Sequence, residues 1–310
     1  GFMRQTINRG PVNYSPNSRG NGCPMTASAE DGGYVHHAER VEGHKIRERS
    51  DSFKDHFTQA TMFWHSLTPD EQDRLVSAGH FELGKVESKE IRQRLIDDFF
   101  NHINHDLAVR IAKGVGIEPP DSFAGKETDK RAPEVSVKHQ GRFDTIRTRK
   151  VAFLLADGFD HDQFMAVKQA LMDGGATAKV VAKFKGTLTS ADGQEVEVDM
   201  SHVTTTSVVF DAVFVPGGAE SIEAQKTQGD ALHFVQEAFK HGKAVGATGD
   251  GVSLLQAAGL PGIALSDGEP TVDKGVVTAR DGMDGVADRF TEAVAQHRHF
   301  DREKTAQVPA

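Results

Sequence analysis

The sequence has almost no cysteine, and this limits the chemistry open to it. Cys23 is the only cysteine among 310 residues, so an internal disulfide and a cysteine-rich zinc site are both excluded. A single cysteine is typical of a reducing compartment, and we expect a cytoplasmic location.

Long apolar runs and excess positive charge are also missing. No apolar stretch approaches the roughly 18–20 residues that cross a bilayer, and the N-terminus lacks the pattern of a signal or transit peptide. The formal net charge of −9 disfavours partners such as nucleic acid or an acidic membrane surface. We therefore expect no nucleic acid and no membrane among the partners.

Residues 1–50 show no helical or strand period. They are rich in Asn, Ser, Pro and Gly, as in Asn13-Tyr14-Ser15-Pro16-Asn17-Ser18, which favours turns. A disordered tail is one interpretation. We prefer a segment that wraps over another surface, with Tyr14, Tyr34 and Val35 as apolar anchors. The irregular opening also predicts that further chain precedes it.

Residues 51–117 are predicted to form a small helical domain. Thr68-Pro69-Asp70-Glu71 is a capping box, and its helix should run to about Val86. A second, single helix is predicted from Ser88 to Gly114, with a broad buried stripe. The residues of that stripe are Ile91, Leu95, Ile96, Phe99, Phe100, Ile103, Leu107 and Ile111. Residues 118–149 are rich in Pro, Gly, Lys and Arg and are predicted to be a linker.

Residues 150–310 alternate strands and helices, which predicts a doubly wound, flavodoxin-like parallel sheet. The predicted strands are residues 151–155, 178–182, 212–215 and 244–248, with helices over 161–173, 230–241 and 285–297. Asp192-Gly193 predicts a hairpin turn between two short strands.

Three loops should meet beyond the carboxyl ends of these strands. They are Asp157-Gly158-Phe159-Asp160, Pro216-Gly217-Gly218 and Thr248-Gly249-Asp250-Gly251. The last is a strand-to-helix turn of the kind that lifts a nucleophile to the mouth of a sheet. Other signals are weaker. His102, His105 and Asp106 form an incomplete metal site, His36-His37 has no further ligands, and Gly217-Gly218 lacks the lysine of a phosphate-binding loop.

The three loops and the run Leu254-Leu255-Gln256-Ala257-Ala258-Gly259 resemble PfpI-type members of the class I glutamine-amidotransferase-like superfamily, over roughly residues 150–300. That family has the pattern A-x-C-H-G-x-x-x-L-L at its elbow. The resemblance places Gly249 at the family's cysteine, Asp250 at its histidine and Asp160 at its supporting glutamate. Glycine cannot act as a nucleophile, and Cys23 is too distant in sequence to replace it. A water-based mechanism through Asp160 and Asp250 is the weak alternative.

The N-terminal half resembles the region that follows the barrel of haem catalases. The resemblance rests on residues 11–18, residues 40–53, Phe63-Trp64 and Thr68-Pro69-Asp70-Glu71-Gln72. An α/β domain after such helices is the layout of large-subunit catalases. The resemblance implies a parent enzyme that dismutates hydrogen peroxide at haem and assembles as a homotetramer. The family's haem-ligand pattern, R-x-F-x-Y-x-D-T, and its distal histidine pattern do not occur in this sequence.

We therefore expect the C-terminal portion of a large-subunit catalase, which contacts the barrel domain and other subunits. Its residues would serve assembly, stability and access to the haem pocket. We predict no catalytic, cofactor-binding or metal-ligating residue in this chain, and no haem bound by the chain alone. Two alternatives stay open: an independent PfpI-type hydrolase, and a module that binds other chains or assists their folding.

Overall fold

A computed structural model describes residues 38–136, 138–139, 141–302 and 305–309. The chain divides into two units, Gly1–His56 and Phe57–Ala310. In the first unit, residues 38–56 are exposed and irregular apart from a short 3₁₀ helix at Asp51–Lys54. Within the described residues, no helix combines the length and the apolar character needed to span a membrane.

The second unit begins with short helices. These are α1 (Thr58–Ser66), α2 (Pro69–Leu83), α3 (Lys89–Leu95), α4 (Asn101–Ile103) and α5 (His105–Gly114), with a π-helical turn at Ile96–Phe100 between α3 and α4. The predicted capping box is confirmed at the start of α2, where the Thr68 N–H donates to Glu71 Oε2 at 2.8 Å.

The single helix predicted from Ser88 to Gly114 is wrong. Asn104 is extended (φ −162°, ψ 138°), and its side chain accepts a hydrogen bond from the Leu107 N–H at 3.0 Å. An asparagine that bonds to the backbone two or three residues ahead favours a helix start over a helix interior. The chain therefore ends one helix and begins another at this residue.

The buried stripe predicted for that helix is also partly wrong. Ile96, Leu107 and Ile111 are buried, but Ile91 and Phe99 are 41% and 50% exposed. The π-helical turn inserts an extra residue per turn and so rotates the faces before and after it relative to each other. A regular four-residue period in the sequence cannot show such an insertion.

The rest of the second unit is a mixed α/β domain around a mainly parallel sheet. The strands of this sheet are β1 (Lys150–Leu154), β2 (Thr177–Ala182), β5 (Met200–Ser201), β6 (Ala212–Val215), β7 (Ala244–Thr248), β8 (Thr271–Asp273) and β9 (Val276–Ala279). Two further strands, β3 (Thr187–Thr189) and β4 (Glu195–Glu197), form the predicted hairpin. Strand order in the main sheet is β5-β2-β1-β6-β7-β9-β8, and β8 runs antiparallel to β9.

Helices cover both faces of the sheet, as expected for strands that are apolar throughout. They are α6 (His161–Asp173), α7 (Ala219–Lys226), α8 (Gly229–Lys240), α9 (Gly251–Ala258) and α10 (Val286–Ala295). On the face of α6 and α10, the rings of Phe153, Phe164, Phe214 and Phe290 pack with centroids 5.0–5.6 Å apart. A Cβ at Gly246 would lie 2.4 Å from the Phe214 ring, so glycine is required for this packing.

The segment after α10 is held by a buried arginine. Arg302 is 6% exposed, and its guanidinium donates to the carbonyl oxygens of Phe239, Lys243 and Lys274 at 2.6, 2.8 and 2.9 Å. It also lies over the Phe239 ring at 4.4 Å. All three guanidinium nitrogens are thus satisfied by backbone oxygens, which fixes the C-terminal segment to the sheet.

Candidate functional site

The turn after β7 has the backbone of a nucleophile elbow. Gly249 has φ +53°, in the left-handed region that a side chain adopts only with strain. Gly251, the first residue of α9, lies so close to β6 that a Cβ there would be 2.4 Å from the Val215 oxygen. The two glycines therefore allow the chain to turn sharply and to approach the neighbouring strand.

The three predicted loops do converge beyond the carboxyl ends of the strands. The Asp160 N–H donates to the Gly217 oxygen at 2.8 Å, which joins the first loop to the second. A Cβ at Gly249 would lie 3.4 Å from the Gly217 Cα, which places the third loop against the second. This part of the sequence prediction is confirmed.

The space above the elbow is filled by Gln163, a residue that sequence reasoning missed. Its Nε2 donates to Asp160 Oδ2 at 2.8 Å, and its Oε1 accepts from the Gly217 N–H at 2.9 Å. A Cβ at Gly249 would lie 3.1 Å from Gln163 Nε2. The only signal for this role was the position of Gln163, one helical turn after the predicted loop residue Asp160.

Asp160, which the sequence resemblance places at a supporting glutamate, acts as a helix cap. Its Oδ1 accepts the Gln163 N–H at 2.9 Å at the start of α6, and its Oδ2 binds the Gln163 side chain. Both carboxylate oxygens are therefore engaged within α6 and its cap. Asp250 is exposed, and its carbonyl oxygen accepts from Ser253 in the first turn of α9.

The hairpin of β3 and β4 holds the first loop from outside. The Gly158 N–H donates to the Thr189 oxygen at 2.8 Å, and the Thr189 N–H donates to Asp157 Oδ1 at 2.8 Å. The Ala191 N–H donates to the Phe159 oxygen at 3.0 Å. Below the elbow, the buried Thr248 hydroxyl has no hydrogen-bond partner among the described residues. The loops thus bond mainly to one another and present no side-chain nucleophile at the turn.

The histidines considered as a metal half-site have other partners. His102 stacks on the Phe57 ring at 4.9 Å, His105 Nδ1 lies 3.2 Å from Asn101 Oδ1, and Asp106 pairs with Arg110 at 3.5 Å. The break at Asn104 places the two histidines on different helices. In the described ranges, no group of three or more His, Cys, Asp or Glu side chains could hold a metal ion.

Several residues weighed from the sequence lie outside the described residues. They are Cys23, Tyr14, Tyr34 and the pair His36-His37. The predictions made for them, that Cys23 does not serve the elbow and that neither tyrosine ligates haem, stay predictions.

Fold and site together define a mixed α/β domain in which a glycine with a left-handed backbone stands at the strand-to-helix turn after β7. Comparison with known families gives two matches. The C-terminal domain found in long catalases matches residues 147–304, and a catalase-related immune-responsive family matches residues 50–115. The chain belongs to the family of C-terminal domains of long catalases.

Individual relatives agree with the family matches. The chain is 41% identical to Catalase-2 of Bacillus subtilis over 304 residues, 97% of this chain and 42% of that protein. It is 39% identical to Catalase HPII of Pseudomonas aeruginosa, over 99% of this chain and 42% of that protein. It is 36% identical to Catalase-1 of Neurospora crassa, over 98% of this chain and 43% of that protein. The chain thus spans less than half the length of these curated relatives and corresponds to the C-terminal region of long catalases.

Proposed function

We propose that this chain serves a large-subunit haem catalase as its region for assembly, stability and access to the haem pocket. The parent reaction is the dismutation of hydrogen peroxide to water and oxygen, and its haem belongs to the barrel domain. The partners are that barrel and the other subunits of a homotetramer. The proposal rests on the family match together with the geometry of the elbow.

The proposal of a non-catalytic role for the α/β domain rests on the position of Gln163 beside Gly249. The turn keeps a left-handed backbone, but the residue there has no side chain. Gln163 occupies the adjacent space and bonds to two of the three loops. A hydrolase of this layout needs a nucleophile and an open space before it. The geometry therefore favours a structural role for the α/β domain over hydrolysis.

The haem chemistry is assigned to the rest of the parent enzyme. The family resemblance implies a tyrosine as haem ligand, and the described residues contain no tyrosine. The described residues also contain no group of three or more His, Cys, Asp or Glu side chains that could hold a metal ion. These residues do not fit a haem site, so we derive no catalytic step from them.

We further propose that the α/β domain is flavodoxin-like, of the class I glutamine-amidotransferase-like type. Six strands of the sheet are parallel, and when the two-residue edge strand β5 is left out, β1, β2, β6, β7 and β9 have the order 2-1-3-4-5. This is the order of flavodoxin-like sheets. We propose the same division as expected from the sequence, with residues 1–50 wrapping, 51–117 helical, 118–149 linking and 150–310 α/β. The family matches at residues 50–115 and 147–304 support it.

The helical region supports the assembly role through its exposed aromatic side chains. Phe63, Phe81 and Phe99 are 56%, 66% and 50% exposed. Three large apolar side chains on so short a helical region favour burial against further protein surface. We propose the catalase barrel as that surface.

Spectroscopy of the isolated chain tests the assignment of haem elsewhere. After incubation with haemin, the chain should show no Soret band at one haem per chain and should evolve no oxygen from hydrogen peroxide. Full-length Catalase-2 of Bacillus subtilis is the positive control. Stoichiometric haem with oxygen evolution would overturn the proposal.

Co-expression with the haem-containing part of a long catalase tests the assembly role. The two parts should co-purify, and Phe81→Gln should reduce the yield of the complex. Glu87→Gln on the same region, an exposed position, should not. A complex that forms equally well with Phe81→Gln would remove the support that the exposed aromatics give.

A further inference from the structure

A cavity lies beside α8 in the α/β domain. It has a volume of about 390 Å³ and is bounded by residues 202–208, by one face of α8, and by Lys243 and Arg298. This volume is within the range of small-molecule sites, roughly 300–1,000 Å³. No part of the proposed catalase role uses it.

Two cations line this cavity, and the nearby carboxylate of Asp211 favours the charged form of both, as that of Glu237 does for Lys243. Lys243 is 4% exposed, and its Nζ donates to the Ser207 oxygen at 2.5 Å. Arg298 donates through Nη1 to the His297 oxygen at 2.8 Å. In the part of the chain that the structure describes, neither forms an ion pair with a carboxylate within 4.0 Å. An ammonium has three donors and a guanidinium five, so most of these donors are available to a ligand.

A buried histidine forms part of the cavity wall. His202 is 8% exposed, and its Nδ1 has no hydrogen-bond partner among the described residues. Its ring packs edge-on against Phe234 at 5.8 Å, and burial lowers its pKa, which favours the neutral imidazole. Because Nδ1 itself is buried, His202 contributes the shape of the cavity wall and not a donor or acceptor to the ligand.

The remaining polar lining divides into two types. Hydroxyl groups come from Thr205, Thr206 and Ser207, and carboxylates come from Asp230 and Glu237 on α8. Glu237 Oε2 is partly engaged, because His241 Nε2 lies 3.1 Å from it. The cavity thus combines cations and hydroxyls with carboxylate acceptors, and a simple inorganic anion would use only the first set.

We propose that this cavity binds a phosphorylated sugar, either free or as part of a nucleotide. Its phosphate lies between Lys243 and Arg298, and its hydroxyls donate to the carboxylates of α8. Lysine and arginine both bind phosphate through charge-assisted hydrogen bonds, and an acidic side chain is the usual acceptor for ribose hydroxyls. Burial and the nearby Arg298 lower the pKa of Lys243 to about 8, and a bound phosphate would relieve this by restoring a counter-charge.

Calorimetric titration of the full chain at pH 7 tests the proposal with four probes: ribose 5-phosphate, adenosine monophosphate, inorganic phosphate and ribose. Ribose 5-phosphate should bind at least tenfold more tightly than inorganic phosphate, and ribose should not bind. Equal or tighter binding of adenosine monophosphate would support the nucleotide as the source of the sugar phosphate. Binding of none of the phosphates, or of inorganic phosphate as tightly as the sugar phosphate, would overturn the proposal.

Variants locate the binding in this cavity. Lys243→Met keeps the length of the side chain and removes its charge. It should weaken ribose 5-phosphate at least tenfold, because one charge-assisted hydrogen bond is lost. Lys185→Met, at an exposed position outside the cavity, should bind as the wild type does. Arg298→Gln, at a half-buried position, gives the same test should Lys243→Met not fold. Unchanged affinity in a folded variant of either cation would place the ligand elsewhere and refute the proposal.

Discussion

The polar side chains above the elbow and those around the cavity beside α8 differ in how they are satisfied, although the Thr248 hydroxyl below the elbow also lacks a partner among the described residues. At the elbow, Asp160 and Gln163 bond to each other and to the backbone of a neighbouring loop. At the cavity, the described residues leave His202 Nδ1 unpartnered and Lys243 with one backbone acceptor. The elbow has the topology of an enzyme site but is closed by its own side chains. The position of a site in the fold therefore indicates binding less well than the number of its hydrogen-bond donors and acceptors that lack a partner within the protein.

Two buried cations make the same contrast measurable. Arg302 donates to three carbonyl oxygens, whereas Lys243 donates to one. Burying a charge without enough partners costs free energy, and removing one that is fully bonded leaves its partners unsatisfied. Burial lowers the pKa of both groups, that of Arg302 to about 9 and that of Lys243 to about 8, so the opposite responses that we expect depend on the partners left unsatisfied: three carbonyl oxygens for Arg302 and one for Lys243.

Arg302→Ala should have the largest effect. It leaves three carbonyl oxygens without their donor and opens space beside Phe239, so the free energy of unfolding should fall by about 3–5 kcal/mol. Urea unfolding followed by circular dichroism measures this. Arg289→Ala is the matched control, because exposed Arg289 also donates to a carbonyl, that of Pro270 at 3.3 Å, and should change stability by less than about 0.5 kcal/mol. A similar small loss in both variants would contradict the role given to Arg302.

Lys243→Met should raise the free energy of unfolding at pH 7. The pKa of Lys243 is lowered from 10.5 to about 8, chiefly by burial and then by Arg298, while Asp211 and Glu237 oppose the change. Such a shift corresponds to roughly 3–3.5 kcal/mol, at 1.36 kcal/mol per pKa unit. Methionine removes this cost of burying the charge.

The pH dependence of that gain follows from proton binding. Between pH 8 and pH 10.5 the unfolded state binds more protons at Lys243 than the native state does, so wild-type stability rises with pH relative to the variant. The advantage of Lys243→Met should be full below pH 8 and should fade towards pH 10.5. Urea unfolding of both proteins at pH 7, 8, 9 and 10 measures it. A constant difference across this range would mean that Lys243 is not a buried charge.

Gln163→Ala should have an intermediate effect. It removes one hydrogen bond to the Asp160 carboxylate and one from the Gly217 N–H, so the free energy of unfolding should fall by about 1–2 kcal/mol. Gln169→Ala on the same helix removes a surface hydrogen bond to Asp173 and should cost less than about 0.5 kcal/mol. Equal losses in the two variants would show that Gln163 does not hold the loops together.

Much of this arrangement could be predicted from the sequence, because apolar runs and glycine turns have strong local signals. The strand Ala244–Thr248, the helix His161–Asp173 and the hairpin around Asp192-Gly193 lie where the pattern indicates. The meeting of the three loops followed from the prediction of a parallel sheet, whose strands all have their carboxyl ends at one edge. Strands β5 and β8 were missed because they have two and three residues and lie at the edges of the sheet. Strand β9 was missed although all four of its residues are buried, because so short a run gives little pattern.

The missed features depend on contacts that are distant in sequence or on a single residue. The π-helical turn at Ile96–Phe100 and the helix start at Asn104 interrupt a period that looked continuous. In the sequence Gln163 looks like an ordinary helix residue. Its side-chain oxygen accepts a hydrogen bond from the Gly217 N–H, which is 54 residues away in sequence. Lys243 and Arg298 gave no motif, because they approach the same cavity only through the three-dimensional fold.

Gly249→Ala should have the smallest effect and bears directly on how the elbow is closed. Alanine at φ +53° costs roughly 1 kcal/mol, because its Cβ is strained in the left-handed region. In the wild-type background the new Cβ would also lie 3.1 Å from Gln163 Nε2, which is the end of a flexible side chain and can shift by a few tenths of an ångström. Combining Gly249→Ala with Gln163→Ala removes that contact and leaves the backbone strain alone. We therefore expect the loss from Gly249→Ala, measured by urea unfolding, to be a few tenths of a kcal/mol smaller in the Gln163→Ala background. A loss that is the same in both backgrounds would mean that Gln163 does not limit the space at the elbow, and the explanation of the closed site would have to rest on the missing nucleophile alone.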